Sequence, residues 1–258
     1  MKKSKLKLRI LVVFIITSLY ACTPDNNTEE TIIPANTTKI ARIELTRTDS
    51  QEIEETYDFE YQNNKLQKMT LNEYVSNTVV SFESNYFYTD DILTQINNAP
   101  VSYDGNTLTI TGEDEQEILF FNDNMQIEKI ELYYRYATIL ELDAIFYFTY
   151  DAAGNIIRND THNANDELLW YAIFEYDSKQ NPLQNIQYPV KQLLYSEFFG
   201  GNENNPISRK EFNNNGELQE EFIYEYQYNA NDFPVEMKIT YINPLGTFIS
   251  YEYFTYDE

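Results

Sequence analysis

Cysteine is almost absent from this chain. Cys22 is the only one, so no internal disulfide can form, and stability must come from packing and backbone hydrogen bonds. Histidine is equally scarce. His162 stands alone in a polar stretch, which excludes Cys–His nucleophiles and multi-histidine zinc sites. A Ser-His-Asp triad would have to use His162, and no nucleophile-elbow motif accompanies it. Seven glycines in 258 residues leave no glycine-rich phosphate loop. Basic residues are few, 18 against 42 acidic ones, for a net charge of −24. A surface so acidic does not bind nucleic acid or an anionic bilayer.

What is present begins with an address. Lys2, Lys3, Lys5, Lys7 and Arg9 precede an apolar run from Ile10 to Ile16, followed by Leu19-Tyr20-Ala21-Cys22. A basic head, a short apolar core and small residues before a cut site describe a secretory signal too short to span a bilayer. The last four residues resemble the bacterial lipobox, in which cleavage exposes the Cys for acylation. Residues 1–21 are therefore expected to be removed, and Cys22 to carry the lipid. Two or three acyl chains anchor a protein stably where one does not. The mature chain would hold 13 basic against 42 acidic residues, a net charge of about −29. Residues 22–38, rich in Asn, Thr, Pro and Glu, read as a tether spanning roughly 20–25 Å.

Residues 39–258 read as one domain of repeated β-hairpins. Tyr is abundant (23 residues, with 16 Phe), which favours strands. The unit is clearest at residues 146–158. An aromatic strand ending at Tyr150 meets Asp151-Ala152-Ala153-Gly154, and a second strand leaves through Ile156-Ile157-Arg158. Asp151 can accept a hydrogen bond from the turn, and Gly154 can take the left-handed conformation that precedes a bulge. Phe212-Asn213-Asn214-Asn215-Gly216 repeats this unit; near the end, Asp232 takes the place of the glycine. Tyr103-Asp104-Gly105-Asn106 predicts a two-residue loop built on Asp-Gly. Period-two alternation, as in Tyr57-Asp58-Phe59-Glu60-Tyr61, supports fifteen to seventeen strands with short, mostly antiparallel connections. Pro189, Val190, Leu193, Leu194 and Phe198 break the pattern with helical spacing, which predicts one short helix over 189–199.

The turn repeat resembles the Tyr-Asp repeats of bacterial surface and toxin-shell proteins. Asn181-Pro182-Leu183, Asn204-Asn205-Pro206-Ile207 and Tyr224-Glu225-Tyr226, followed by Asp232-Phe233-Pro234-Val235, resemble a Bacteroidota lipoprotein family described as a domain of unknown function with a porin-like fold. The resemblance implies an all-β, antiparallel meander forming a curved, barrel-like sheet, and brings no activity with it. A membrane-spanning barrel is disfavoured, because Glu141 and Asp143 interrupt the apolar face expected to include Ile145, and the chain does not end in an aromatic residue. The aromatic face is expected to be the interior.

Chemistry is harder to place. Forty-two acidic residues guarantee chance carboxylate pairs, so no catalytic residue, metal ligand or cofactor site is assigned. Asp90-Asp91 and Asn122-Asp123-Asn124 offer oxygen ligands to calcium, yet turn chemistry already explains them. Trp170, Tyr171, Tyr133 and Tyr134 are candidate ligand-contact aromatics that would stack on sugar rings, competing with a simple packing role. The expected protein is a non-enzymatic, lipid-anchored lipoprotein of the outer membrane, facing the periplasm or the cell exterior. It would present its domain to an envelope protein. The alternatives are a glycan-binding accessory in nutrient capture and, behind it, a carboxylate-dependent hydrolase.

Overall fold

The computed structural model describes residues 38–47, 52–76, 78–187, 190–194 and 201–257. The leader, Cys22 and most of the tether lie outside them. Sixteen antiparallel strands follow in order: β1 (Lys39–Arg47), β2 (Ile53–Gln62), β3 (Lys65–Val75), β4 (Thr78–Thr89), β5 (Ile92–Ile96), β6 (Ala99–Asp104), β7 (Thr107–Thr111) and β8 (Glu115–Phe121). The second half comprises β9 (Ile127–Tyr136), β10 (Ile139–Tyr150), β11 (Ile156–Asn163), β12 (Leu168–Tyr176), β13 (Pro206–Asn213), β14 (Leu218–Tyr228), β15 (Pro234–Asn243) and β16 (Gly246–Asp257). Every strand pairs with its sequence neighbours, and β1 pairs with β16, so the meander closes into a barrel without edges along most of its height. One helix, α1 (Val190–Leu193), lies between β12 and β13. It occupies part of the expected 189–199 segment, and residues 189 and 195–199 fall outside the described ones.

The turn grammar folds as its residues dictate. Asp151 Oδ1 accepts hydrogen bonds from the backbone N–H of Ala153 (2.9 Å) and Asn155 (2.8 Å), while Gly154 takes φ +98°. Asn122, Asn163, Asn213 and Asn229 use their side-chain oxygens in the same way, each on the residues two and four positions on. The left-handed position is held by Gly216 in one of these turns but by Met125, Asp166 and Asp232 in the others. The side-chain bonds thus specify the turn even where glycine is missing. At residues 104–107 the loop is Gly105-Asn106 instead of Asp104-Gly105. Asp104 pairs with Thr107, and Gly105 takes the first central position at φ +56°.

Register decides what faces the lumen. Ile43, Tyr57, Phe59, Met69, Tyr224, Met237 and Phe254 are all buried and share the inward face of β1–β3 and β14–β16, with Ile43 directly opposite both Tyr57 and Phe254, and Phe59 opposite Met69. The intervening residues point outward and carry ion pairs between directly opposed positions. Arg42 meets Asp58 (3.5 Å), Lys68 meets Glu60 (2.7 Å), Lys210 meets Glu221 (3.4 Å), and Lys238 meets Glu225. A lipid-facing strand requires an unbroken apolar outer face, and these strands carry charge there instead. The expectation about Glu141 and Asp143 needs correction. A bulge between Leu142 and Ala144 switches the alternation, so Glu141 shares the inward face with Phe146, and Ile145 faces out.

Candidate luminal binding site

The two ends of the barrel differ. The described parts of the 29-residue segment between β12 and β13 (177–187, 190–194 and 201–205) do not stay outside; they enter the lumen as a plug. Leu183, Ile186, Val190, Leu193 and Leu194 are all but fully buried and join the core formed by the inward strand residues. Apolar side chains make the plug bury itself, and amides give it a register. Gln192 Oε1 accepts the Ile127 N–H (3.2 Å), and Asn202 Oδ1 accepts the Ile156 N–H (2.7 Å). Asn155 Oδ1 accepts the N–H groups of Glu203 (3.0 Å) and Asn204 (2.9 Å). Buried backbone donors that lack a ladder partner are thus satisfied by side chains. Lys191, 6% exposed, pairs with Glu203 at 3.0 Å. Burial lowers its pKa, and the Glu203 charge offsets part of that.

The same end is laced by tyrosines. The hydroxyls of Tyr88, Tyr103, Tyr150, Tyr176, Tyr226 and Tyr256 donate to the carbonyls of Leu66, Leu93, Ile127, Ile156, Pro206 and Pro234 at 2.7–2.9 Å. In each case a tyrosine near the end of one strand reaches the first residue, or nearly so, of the preceding strand. The Tyr-Asp dipeptide therefore has a physical role. The Asp shapes the turn, and the Tyr ties two strand ends together inside the barrel.

Above the plug the lumen stays open as a cup of about 960 Å³. Asn181, Pro182, Asn205 and Pro206 form its floor; its walls come from β1 and β13–β16 and include Leu45, Phe222, Tyr224, Met237, Ile239, Tyr241, Phe248 and Phe254. Such a volume is typical of small-molecule sites. Besides its tyrosines, the cup is lined by the ionisable side chains of Arg47, Arg209 and Glu252. Arg209 pairs with Glu211 and Arg47 with Glu54 (2.8 Å). Glu252, on β16, is partly buried in the wall of the cup, and Glu55 lies on the same inward face, across β1. Burial first and the neighbouring Glu55 second push its pKa up to about 8, so it holds its proton at neutral pH. Glu117, inward on β8, is pushed up to about 8 for the same reasons, with Glu115 as its neighbour. These two carboxyls thus share the inward face with the apolar and aromatic residues. A protonated carboxyl beside a second carboxyl is also the pairing that an acid–base hydrolase employs.

The four candidate aromatics do not converge. Trp170 faces inward opposite Thr161 but outside the cup, and Tyr134 faces inward opposite Glu115 and Glu141. Tyr171 faces outward, stacked on Phe212 (5.0 Å) with the Arg158 guanidinium 4.0 Å from its ring centre. Tyr133, also outward, donates to Glu131 at 2.9 Å. His162 lies at the open rim, its Nδ1 3.0 Å from the Asp166 carbonyl and its ring edge-on to Tyr147. Asn122 spends its side-chain oxygen on its own turn, and the described residues hold no cluster of three or more metal-ligating side chains. The cup itself was missed from sequence. Its one legible trace is the Phe222-x-Tyr224-x-Tyr226 row.

No protein-family model matches the chain, and no curated protein matches it. Among solved structures it is similar to a porin-like protein from Bacteroides uniformis, 11% identical with a TM-score of 0.48 over 84% of this chain and 96% of that one. A porin-like protein from Bacteroides vulgatus is 13% identical with a TM-score of 0.39, covering 85% and 99%. A DUF1329 family protein from Desulfovibrio piger is 5% identical with a TM-score of 0.23, covering 84% and 82%.

Proposed function

We propose that this protein is a non-enzymatic, envelope-associated binding module that receives a small ligand in a barrel stoppered at one end by its own chain. The observation that carries this reading is the cup: a concave, largely apolar chamber with a buried floor and an open mouth. A stoppered barrel with charged outer strands is built to hold a ligand, not to conduct across a bilayer. Lipidation at Cys22 would tether the domain to the outer membrane. Because β1 starts at the plugged end, the tether would join the domain on the side away from the cup's mouth. Native mass spectrometry of protein purified from envelopes tests the reading. A retained small molecule that dissociates from an Ile239→Arg variant supports it, and an empty chamber under all conditions argues against it. Cys22→Ser should release the protein from membranes; unchanged retention would remove the anchor. Turnover on a substrate panel that is lost in Glu252→Gln would shift the site to a hydrolase.

A second reading, presentation of a surface to an envelope protein, has its own observation. Strands β5–β8 are short, so the Thr78–Ser84 edge of β4 pairs with β3 on one side and with no described strand on the other. Val79, Val80 and Phe82 there are 41–53% exposed. Open strand edges accept a partner strand. Co-purification of one stoichiometric protein that disappears in Val80→Pro would favour this reading.

A further inference from the structure

The chemical character of the cup narrows its ligand, granted that the cup is a binding site. Most polar and stacking groups of the wall are already engaged within the protein; Arg209 Nε and Asn205 Oδ1 lack a hydrogen-bond partner, and the Glu252 carboxyl lines the cup as well. Phe222 has Tyr241 stacked against it at 4.6 Å and the Arg209 guanidinium 5.0 Å from its ring centre. Tyr241 in turn lies between Phe222 and Phe248, the latter at 6.0 Å. A sugar ring needs a free aromatic face, and these rings have neighbours there. The Tyr226 hydroxyl donates to the Pro206 carbonyl (2.9 Å), and the Tyr224 hydroxyl interacts with Arg209. Both arginines have carboxylate partners. What the chamber mainly offers a guest is therefore C–H surface from ring edges, Leu45, Met237, Ile239 and Phe254, with the uncharged Glu252 carboxyl as one hydrogen-bonding point in the wall.

We propose that the cup binds one uncharged, predominantly apolar molecule of fatty-acyl size. Burial against such walls yields about 0.8 kcal/mol per methylene, so a long chain gains affinity without any charged contact. An ionised head group or a saccharide would leave its own polar groups unpaired beside these walls.

The test is displacement of the fluorescent probe N-phenyl-1-naphthylamine from the full-length protein at pH 7. Hexadecanol should displace the probe at micromolar concentration, and a malto-oligosaccharide should not. Ile239→Arg, which places a cation on the wall, should weaken hexadecanol at least tenfold. Should that variant fail to fold by circular dichroism, Phe248→Ser at the half-exposed mouth serves instead, with a several-fold loss expected. Phe82→Ser on the far rim should leave binding unchanged. An oligosaccharide that binds by calorimetry while hexadecanol does not would overturn the apolar assignment and leave the cup standing as a site. Binding of neither would remove both. Equal loss in Phe82→Ser would place the apolar site elsewhere and overturn the proposal.

Discussion

The two ends of this barrel are made from the same hairpin grammar, yet only one is solid. At the plugged end, β10 closes on Phe148 (8% exposed) and a Tyr150 hydroxyl bonded inward; at the open end the same strand begins at Ile139, 62% exposed. β4 repeats the contrast, from Val79 at 53% to Tyr86 at 1%. Both ends have asparagine turns, so turn chemistry does not account for the difference. The plug does. It supplies apolar partners to one half of the lumen and leaves the other half to form the cup, which is why a cavity coexists with a stable core.

That contrast can be broken most severely at the plug. Leu183→Ala, at a fully buried position, should cost about 2–5 kcal/mol in chemical denaturation, whereas Leu245→Ala at the open rim (88% exposed) should stay within about 0.5 kcal/mol. Comparable losses at both ends would mean that the plug is not the stabilising element. Next in size is Asn155→Ala. It strips the acceptor from the N–H groups of Glu203 and Asn204, at about 2–3 kcal/mol, and hydrogen exchange should accelerate at those two amides first.

The acidic interior gives a pH signature. Glu117 and Glu252 keep their protons to about pH 8 when folded, but release them near 4.5 when unfolded. Unfolding therefore releases protons between pH 4.5 and 8, so stability falls as pH rises through that window and levels off above it. Glu252 faces Glu55, Tyr224 and Tyr226, and Glu117 faces Glu115 and Tyr134; none of these offers a compensating cation. The combined fall should be on the order of 2 kcal/mol after allowance for water in the lumen. The Glu117→Gln, Glu252→Gln double variant should flatten it, and a wild-type curve already flat from pH 5 to 9 would contradict the raised values. The smallest effect belongs to the tyrosine ties. Tyr256→Phe removes one hydroxyl-to-carbonyl bond and should cost about 1 kcal/mol, visible as a Tm shift of a few degrees.

Much of the architecture was legible because its rules are local. An Asp or Asn followed by a left-handed residue three positions on gives the turn, and the Tyr57-Phe59-Tyr61 alternation gives a strand with one apolar face. The helical spacing over 189–199 marked a break in the hairpin pattern, and α1 forms within it. The site was not legible for a different reason. Which residues ring the cup depends on register between strands, and the bulge at Asp143 shows how one extra residue redirects a whole strand face. Glu252 and Glu117 look like any other solvated carboxyls in sequence; their inward position follows from pairing with Met237 and Leu45, and with Ile110 and Leu132. Trp170, Tyr171, Tyr133 and Tyr134 look alike as aromatics, and alternation alone sends two of them into the lumen and two outside.

The amino-acid sequence by itself determined the hairpin repeat, the inward aromatic rows and the acidic exterior, since each rests on contacts between residues a few positions apart. Closure of β1 on β16, entry of the β12–β13 segment into the lumen and the chamber left above it were decided only in three dimensions. These depend on apolar surfaces far apart in the chain meeting one another, and no local pattern encodes which of them will.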